Sequence, residues 1–186
     1  MNNQQKLAAY VQLLQRWNKA YNLTAVADQD MMTHHILDSL SIAPYIEGQR
    51  ILDIGSGAGL PGIPLAITYP DKEFFLLDSN GKKTRFLIQA KSELGLTNIS
   101  VIQNRLESYQ PSACFDTITA RAFASINDMI GPCLPLLRGG GQLLMMKGKF
   151  PEEELAAIRC SFEVIPLTVT GLDKERHVVR IRCDGS

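Results

Sequence analysis

The chain has 186 residues, 45% hydrophobic and 20% charged, a composition that excludes collagen-like, coiled-coil and disordered classes and fits one globular domain. Nineteen basic and nineteen acidic side chains cancel, which excludes a globally basic nucleic-acid binder but permits a local basic patch. No apolar run approaches the roughly 18 residues of a membrane helix. The opening Met1-Asn2-Asn3-Gln4-Gln5 has neither the basic start nor the apolar stretch of a signal peptide, so a cytoplasmic protein without a membrane span is expected.

Residues 1–47 read as a helical segment. Leu7, Val11, Leu14 and Trp17 recur at helical spacing, with Asn2 or Asn3 as cap. Asp30 is placed to cap a second helix whose apolar face is Ile36, Leu37, Leu40 and Ile42. From residue 48 the pattern changes to strands alternating with helices. Strands are expected at 51–54, 73–77, 99–102, 115–120 and 142–146, with helices at 60–69, 82–94, 127–137 and 152–158. Segments 162–169 and 177–181 are β-rich with no helix between them, which predicts an antiparallel edge. Five βα units and a final hairpin make an α/β domain spanning 1–186, with a mostly parallel sheet behind the helical segment. Cys114, Cys133, Cys160 and Cys183 show no C-x-x-C spacing, so free thiols and no metal site are expected.

The stretch Asp53-Ile54-Gly55-Ser56-Gly57-Ala58-Gly59-Leu60-Pro61-Gly62 follows the first strand and opens a helix. Ligands of open α/β sheets bind at the carboxyl ends of such strands. Gly57, Gly59 and Gly62 formally match the dinucleotide fingerprint G-x-G-x-x-G, so an NAD-linked oxidoreductase is one reading. The fuller pattern, Asp53-x-Gly55-x-Gly57-x-Gly59, has the shape of the S-adenosyl-L-methionine (AdoMet) loop. AdoMet carries an ammonium group, which an acidic strand end suits directly or through water. Asp78, ending the second strand, is placed to accept two ribose hydroxyls, and this serves either cofactor. Leu106 follows the third strand and offers an apolar face for an adenine.

The fourth strand leads into Ile118-Thr119-Ala120-Arg121-Ala122-Phe123-Ala124-Ser125. With the glycine loop, this resembles the RsmG (GidB) family of bacterial 16S rRNA guanine-N7 methyltransferases. Further segments carry the resemblance: Trp17-Asn18-Lys19-Ala20-Tyr21-Asn22-Leu23-Thr24, His35-Ile36-Leu37-Asp38-Ser39, Leu60-Pro61-Gly62-Ile63-Pro64-Leu65 and Glu175-Arg176-His177. It implies a class I AdoMet-dependent methyltransferase fold: a Rossmann-like, mostly parallel seven-stranded sheet with an antiparallel C-terminal strand. It implies AdoMet as cofactor, and 16S rRNA or the small ribosomal subunit as partner. It places Gly55 and Leu60 on the AdoMet loop, Leu106 and Glu107 beside the adenine, and Arg121 at the junction of cofactor and target base. Family members often carry a further N-terminal helix, whereas this chain starts almost directly in the helix before Trp17.

Guanine N7 has a free lone pair at neutral pH, so no general base is expected and Arg121 is read as a positioning and cofactor-binding group, with donation to guanine O6 and a hold on the AdoMet carboxylate both open to it. Lys82, Lys83, Arg85, Arg105, Lys147 and Lys149 are candidate RNA contacts, because they fall near the carboxyl ends of strands, and Arg176 joins them from a second basic cluster with His177, Arg180 and Arg182. Pro132-Cys133 lies within a helix rather than at a strand end, which argues against a cytosine-C5 nucleophile. An RNA-binding module with a vestigial cofactor site is the non-enzymatic alternative. A monomer is the default.

Overall fold

The computed structural model describes residues 1–121, 125–156 and 158–182. Ala122, Phe123 and Ala124 of the fourth-strand motif, and Cys183, lie outside them.

Helix α1 (Asn3–Tyr21) is capped by Asn2. The Asn2 side chain accepts the Gln5 N–H at 2.9 Å, and the Gln5 side chain accepts the Asn2 N–H at 3.0 Å. Residues 28–45 depart from the single α-helix expected after Asp30. A 3-10 turn (Asp28–Asp30) leads into a π-helix (Met32–Leu37), one α turn, α2 (Asp38–Leu40), and a second 3-10 turn (Ala43–Tyr45). Asp30 caps none of these. The π winding accompanies tertiary ties of His35 and Asp38, which periodicity cannot register; such turns occur often at functional sites.

The remaining elements are β1 (Arg50–Ile54), α3 (Gly62–Thr68), β2 (Glu73–Asp78), α4 (Gly81–Glu93), β3 (Ile99–Gln103), β4 (Phe115–Arg121), α5 (Ile126–Cys133), β5 (Leu137–Lys147), α6 (Glu152–Leu155), β6 (Ser161–Pro166) and β7 (His177–Arg182). They form one seven-stranded sheet in the order β3-β2-β1-β4-β5-β7-β6. Strands β1 to β5 pair in parallel, and β7 runs antiparallel to both β5 and β6. Two details differ from expectation. The connection from β3 to β4 holds only a 3-10 turn (Leu106–Ser108) instead of completing a βα unit. Strand β5 starts five residues earlier than 142, taking in Gly139, Gly140 and Gly141. Gly140 has a φ of 76°, and the β4–β5 register shifts across this stretch, so the glycines form an irregularity inside the strand rather than a break before it.

Both faces of the sheet are covered, as a parallel sheet requires. Ile51, Phe74, Leu76, Leu144, Met146 and Val178 pack on one face beneath α1, α3 and α4. Leu52, Ile54, Leu77, Ile118, Met145 and Val179 pack on the other, with Ile126, Met129 and Cys133 of α5. Trp17 and Tyr10 of α1 both meet Phe86 of α4, which anchors the helical segment to the sheet's first face. Cys114 and Cys133 are free thiols, whereas Cys160 is disulfide-bonded, correcting the expectation of free thiols at that position. No helix among the described residues is long and apolar enough to cross a membrane.

Candidate active site

The sheet order reverses between β1 and β4, so a crevice opens at the carboxyl ends of these strands. The glycine loop fills it. Gly55, Gly57 and Gly59 all have positive φ, 63°, 58° and 88°, a conformation that other residues reach only at a cost. Ser56 donates its N–H to Leu77 and its hydroxyl to the Asp53 carbonyl. Tyr10 of α1, fully buried, donates its hydroxyl to the Ala58 carbonyl. Burial raises the Tyr10 phenol far above its ordinary pKa, so it stays a neutral donor.

Asp53 lies under this loop. It is fully buried; one carboxylate oxygen accepts the Gly62 N–H at 3.1 Å and the other accepts the Thr119 hydroxyl at 3.0 Å. Burial pushes its carboxyl up to about 6, against hydrogen bonds that favour the charged form. Asp53 therefore sits away from the cleft walls and ties loop, α3 and β4 together. The glycines divide in the same way. A Cβ on Gly59 would lie 2.4 Å from Ile63, and one on Gly62 would lie 2.7 Å from the Asp53 carboxylate, so both face packed interior. A Cβ on Gly57 would meet only ordinary contacts, the Gly55 carbonyl at 3.7 Å and Lys83 Nζ at 4.0 Å.

Two clefts share Gly55 as a wall. The first, about 190 Å³, lies over the ends of β1, β2 and β3 and is lined by Gly55, Asp78, Arg105, Leu106 and Glu107. Asp78 is 7% exposed; its two oxygens accept N–H groups of Gly57 at 2.9 Å and Asn80 at 2.8 Å. Each oxygen keeps a second lone pair for a ligand. Leu106 presents a buried apolar surface and Glu107 an exposed carboxylate.

The second cleft, about 580 Å³, lies on the β4–β5 side of the loop. Gly57, Ala58 and Leu60 form one wall, Leu23, Thr24 and Val26 another, and Arg121, Lys147 and Arg176 reach it from the ends of β4 and β5 and the start of β7. Asp38 joins the two arginines: its oxygens accept Arg176 Nε at 2.8 Å and Arg121 Nη1 at 3.2 Å. Arg121 also donates to the His34 carbonyl at 3.4 Å. His35 is buried beside it, with Nδ1 3.1 Å from the His34 carbonyl and Nε2 2.7 Å from the Thr24 hydroxyl. Burial and the Arg121 charge push its imidazole down to about 4, so it is neutral near pH 7.

Of the basic residues singled out in the sequence, Lys83, Lys147 and Arg176 line the second cleft and Arg105 the first, while Lys82, Arg85 and Lys149 line neither. Lys147 is paired with Glu154 at 2.9 Å. Residues that sequence reasoning assigned no role are Tyr10, Thr24, His34, His35, Asp38 and Lys174. Thr24, His35 and Asp38 lie in the two N-terminal segments that carry the family resemblance, which was the available signal for them. The Cys133 thiol is buried and pushed up to about 12; it is no nucleophile near neutral pH.

A model of the family described as rRNA small subunit methyltransferase G matches residues 3–179. A protein named ribosomal RNA small subunit methyltransferase G from Nitrosococcus oceani is 56% identical over 180 residues, covering 95% of this chain and 84% of that one. Its namesake from Coxiella burnetii is 53% identical over 180 residues, covering 96% and 88%. Among solved structures, the O-methyltransferase TomG from Streptomyces achromogenes, in complex with SAM, matches with a TM-score of 0.62 at 18% identity, over 97% of this chain and 90% of that one; this likeness concerns the fold. The oxidoreductase reading of Gly57, Gly59 and Gly62 finds no support, since the relatives are methyltransferases. The vestigial-site reading likewise finds no support. The fold is that of a class I AdoMet-dependent methyltransferase, and the chain belongs to the rRNA small subunit methyltransferase G family.

Proposed function

We propose that this chain, acting as a cytoplasmic monomer, transfers a methyl group from AdoMet to N7 of a guanine in 16S rRNA of the small ribosomal subunit. The observation that carries the reading is the meeting of two clefts at Gly55, one built for a nucleoside and one open to a base, in a member of this family.

The residues of the first cleft fit AdoMet. Asp78 is held by two N–H groups with lone pairs to spare for ribose hydroxyls, Leu106 offers the adenine an apolar surface, and Glu107 stands beside it. Gly55 and Gly57 let the backbone approach the ligand, Leu60 borders the same loop, and Asp53 holds that loop from below. Bound AdoMet supplies a methyl group activated by its sulfonium.

Guanine N7 needs no deprotonation, so the chain's contribution is alignment and exclusion of water. His35 is neutral and engaged with Thr24 and the backbone, in keeping with chemistry that needs no base. Arg121 positions the acceptor at the junction of the clefts. Lys83, Lys147 and Arg176 line the acceptor side, and Lys82, Arg85, Arg105 and Lys149 extend a basic rim for phosphates.

Labelled AdoMet, offered with small subunits or their naked rRNA from a strain lacking this gene, tests the reading. Labelled 7-methylguanosine in the nucleoside digest is the expected product. Absence of label on both acceptors, with S-adenosylhomocysteine still bound, would sink it while keeping the cofactor.

A further inference from the structure

The floor of the second cleft is a single carboxylate between two guanidinium groups. Asp38 has a side chain only 6% exposed, and each of its oxygens holds a different arginine. The three residues come from distant parts of the chain, with sequence separations of 83 and 138. Arg121 is further tied to the His34 carbonyl, and Arg176 Nη1 to the Glu175 carbonyl at 2.8 Å. Both arginine side chains stay about one-fifth exposed, at 19% and 20%, on the wall of the cleft.

We propose that Asp38 is a positioning residue of the methyl transfer: by binding Arg121 and Arg176 together, it fixes their guanidinium groups as one rigid seat for the acceptor nucleotide. The proposal rests on the function proposed above. Its physical content is charge and order. One carboxylate between two guanidinium ions leaves a net positive charge in a half-buried place, where it acts strongly on an electron-rich partner. The planar guanidinium fork suits guanine O6 or a neighbouring phosphate. A free arginine side chain samples many rotamers, and the shared carboxylate removes that freedom before the acceptor arrives. Asp38, Arg121 and Arg176 border the second cleft and not the one holding Asp78, and Gly57 and Leu60 of the glycine loop line that same cleft, so the seat stands where acceptor and cofactor meet. A buried ion pair is weak evidence for stability as such, which makes a role in placement the sharper reading.

Asp38→Asn and Asp38→Glu separate placement from structure. Asp38→Asn is expected to lower the melting temperature, because two arginines lose their buried carboxylate, and Asp38→Glu to lower it less; in the folded variants kcat on small subunits falls at least tenfold, further than S-adenosylhomocysteine affinity does. In Asp38→Asn combined with Arg121→Lys, the loss is expected to be no greater than in the worse single variant, since both act through one group. A second readout needs no turnover: slowly exchanging guanidinium N–H signals of Arg121 and Arg176 in the parent should collapse in Asp38→Asn. If Asp38→Asn does not fold, Asp38→Glu, which keeps the charge but displaces both arginines, carries the kinetic and spectroscopic tests. Retained kcat in a folded variant, losses that multiply in the double variant, or guanidinium signals that persist without Asp38 would each overturn the proposal. Absence of 7-methylguanosine from the parent chain is a different failure; it removes the proposed reaction and leaves the guanidinium signals to decide whether Asp38 orders the arginines.

Discussion

The two clefts are built by different means. The first is made from residues that directly follow strand ends: Gly55 after β1, Asp78 closing β2, and Leu106 and Glu107 just past β3. Its geometry comes almost free with a parallel sheet, because the strands deliver their carboxyl ends side by side. The second depends on residues brought together over long sequence separations, with Asp38 from the helical segment meeting Arg121 of β4 and Arg176 beside β7. The first follows from the sheet topology and the second from contacts between distant segments of this chain. The two should therefore fail independently.

Arg121→Ala should break the second cleft and spare the first. We expect turnover on small subunits to drop roughly 100-fold, equivalent to about 3 kcal/mol of barrier, with S-adenosylhomocysteine affinity changed little by calorimetry. Equal losses of both would show that the clefts are one site.

The shared loop is sensitive to pH through Asp53. Its folded carboxyl is pushed up to about 6, above the ordinary aspartate value, so the fold favours the protonated form. That contribution is fully present below about pH 4 and is lost as pH rises through 6, by about 3 kcal/mol at most. His35 works in the opposite direction, since its depressed value favours the fold at high pH. The useful quantity is therefore a difference: urea unfolding should show parent stability minus that of Asp53→Asn shrinking from pH 4 to pH 7. A pH-independent difference would remove Asp53 from the linkage.

Asp78→Ala makes the reverse cut to Arg121→Ala. It should weaken S-adenosylhomocysteine binding by about 1–3 kcal/mol, leaving two N–H groups without their acceptor. Unchanged affinity would show that Asp78 does not hold the nucleoside. Smallest of all, Tyr10→Phe removes only the hydroxyl bond to the Ala58 carbonyl. A loss of about 1 kcal/mol in stability is expected, with a modest fall in cofactor affinity if the tether shapes the loop.

The same contrast decides what could be read from the sequence. The strands, the glycine loop and Asp78 were legible because apolar runs, glycines and strand-end acids are local signals. Asp53 was legible as the acid near the end of β1, but the side it faces was not. Along β1 it shares its parity with Ile51 rather than with Leu52 and Ile54, and this turns it under the loop. The Asp38 pairing left no local trace: Arg121 and Arg176 stand out separately, but nothing in the sequence ties either of them to Asp38 of the helical segment. The π-helix at Met32–Leu37 and the early start of β5 were missed for a related reason, since contacts made elsewhere override periodicity and glycine punctuation.

The insertion of β7 between β5 and β6 has a consequence for quality control. Arg176 and β7 are delivered by the same stretch of chain, so whatever removes one removes the other. A product cut short before residue 176 would leave Asp38 with a single cation and expose the flank of β5 as an open sheet edge, a template for aggregation. Such fragments would be prone to clearance rather than persistence as weakly active species, so the pool of this protein should consist of chains that carry the complete acceptor seat.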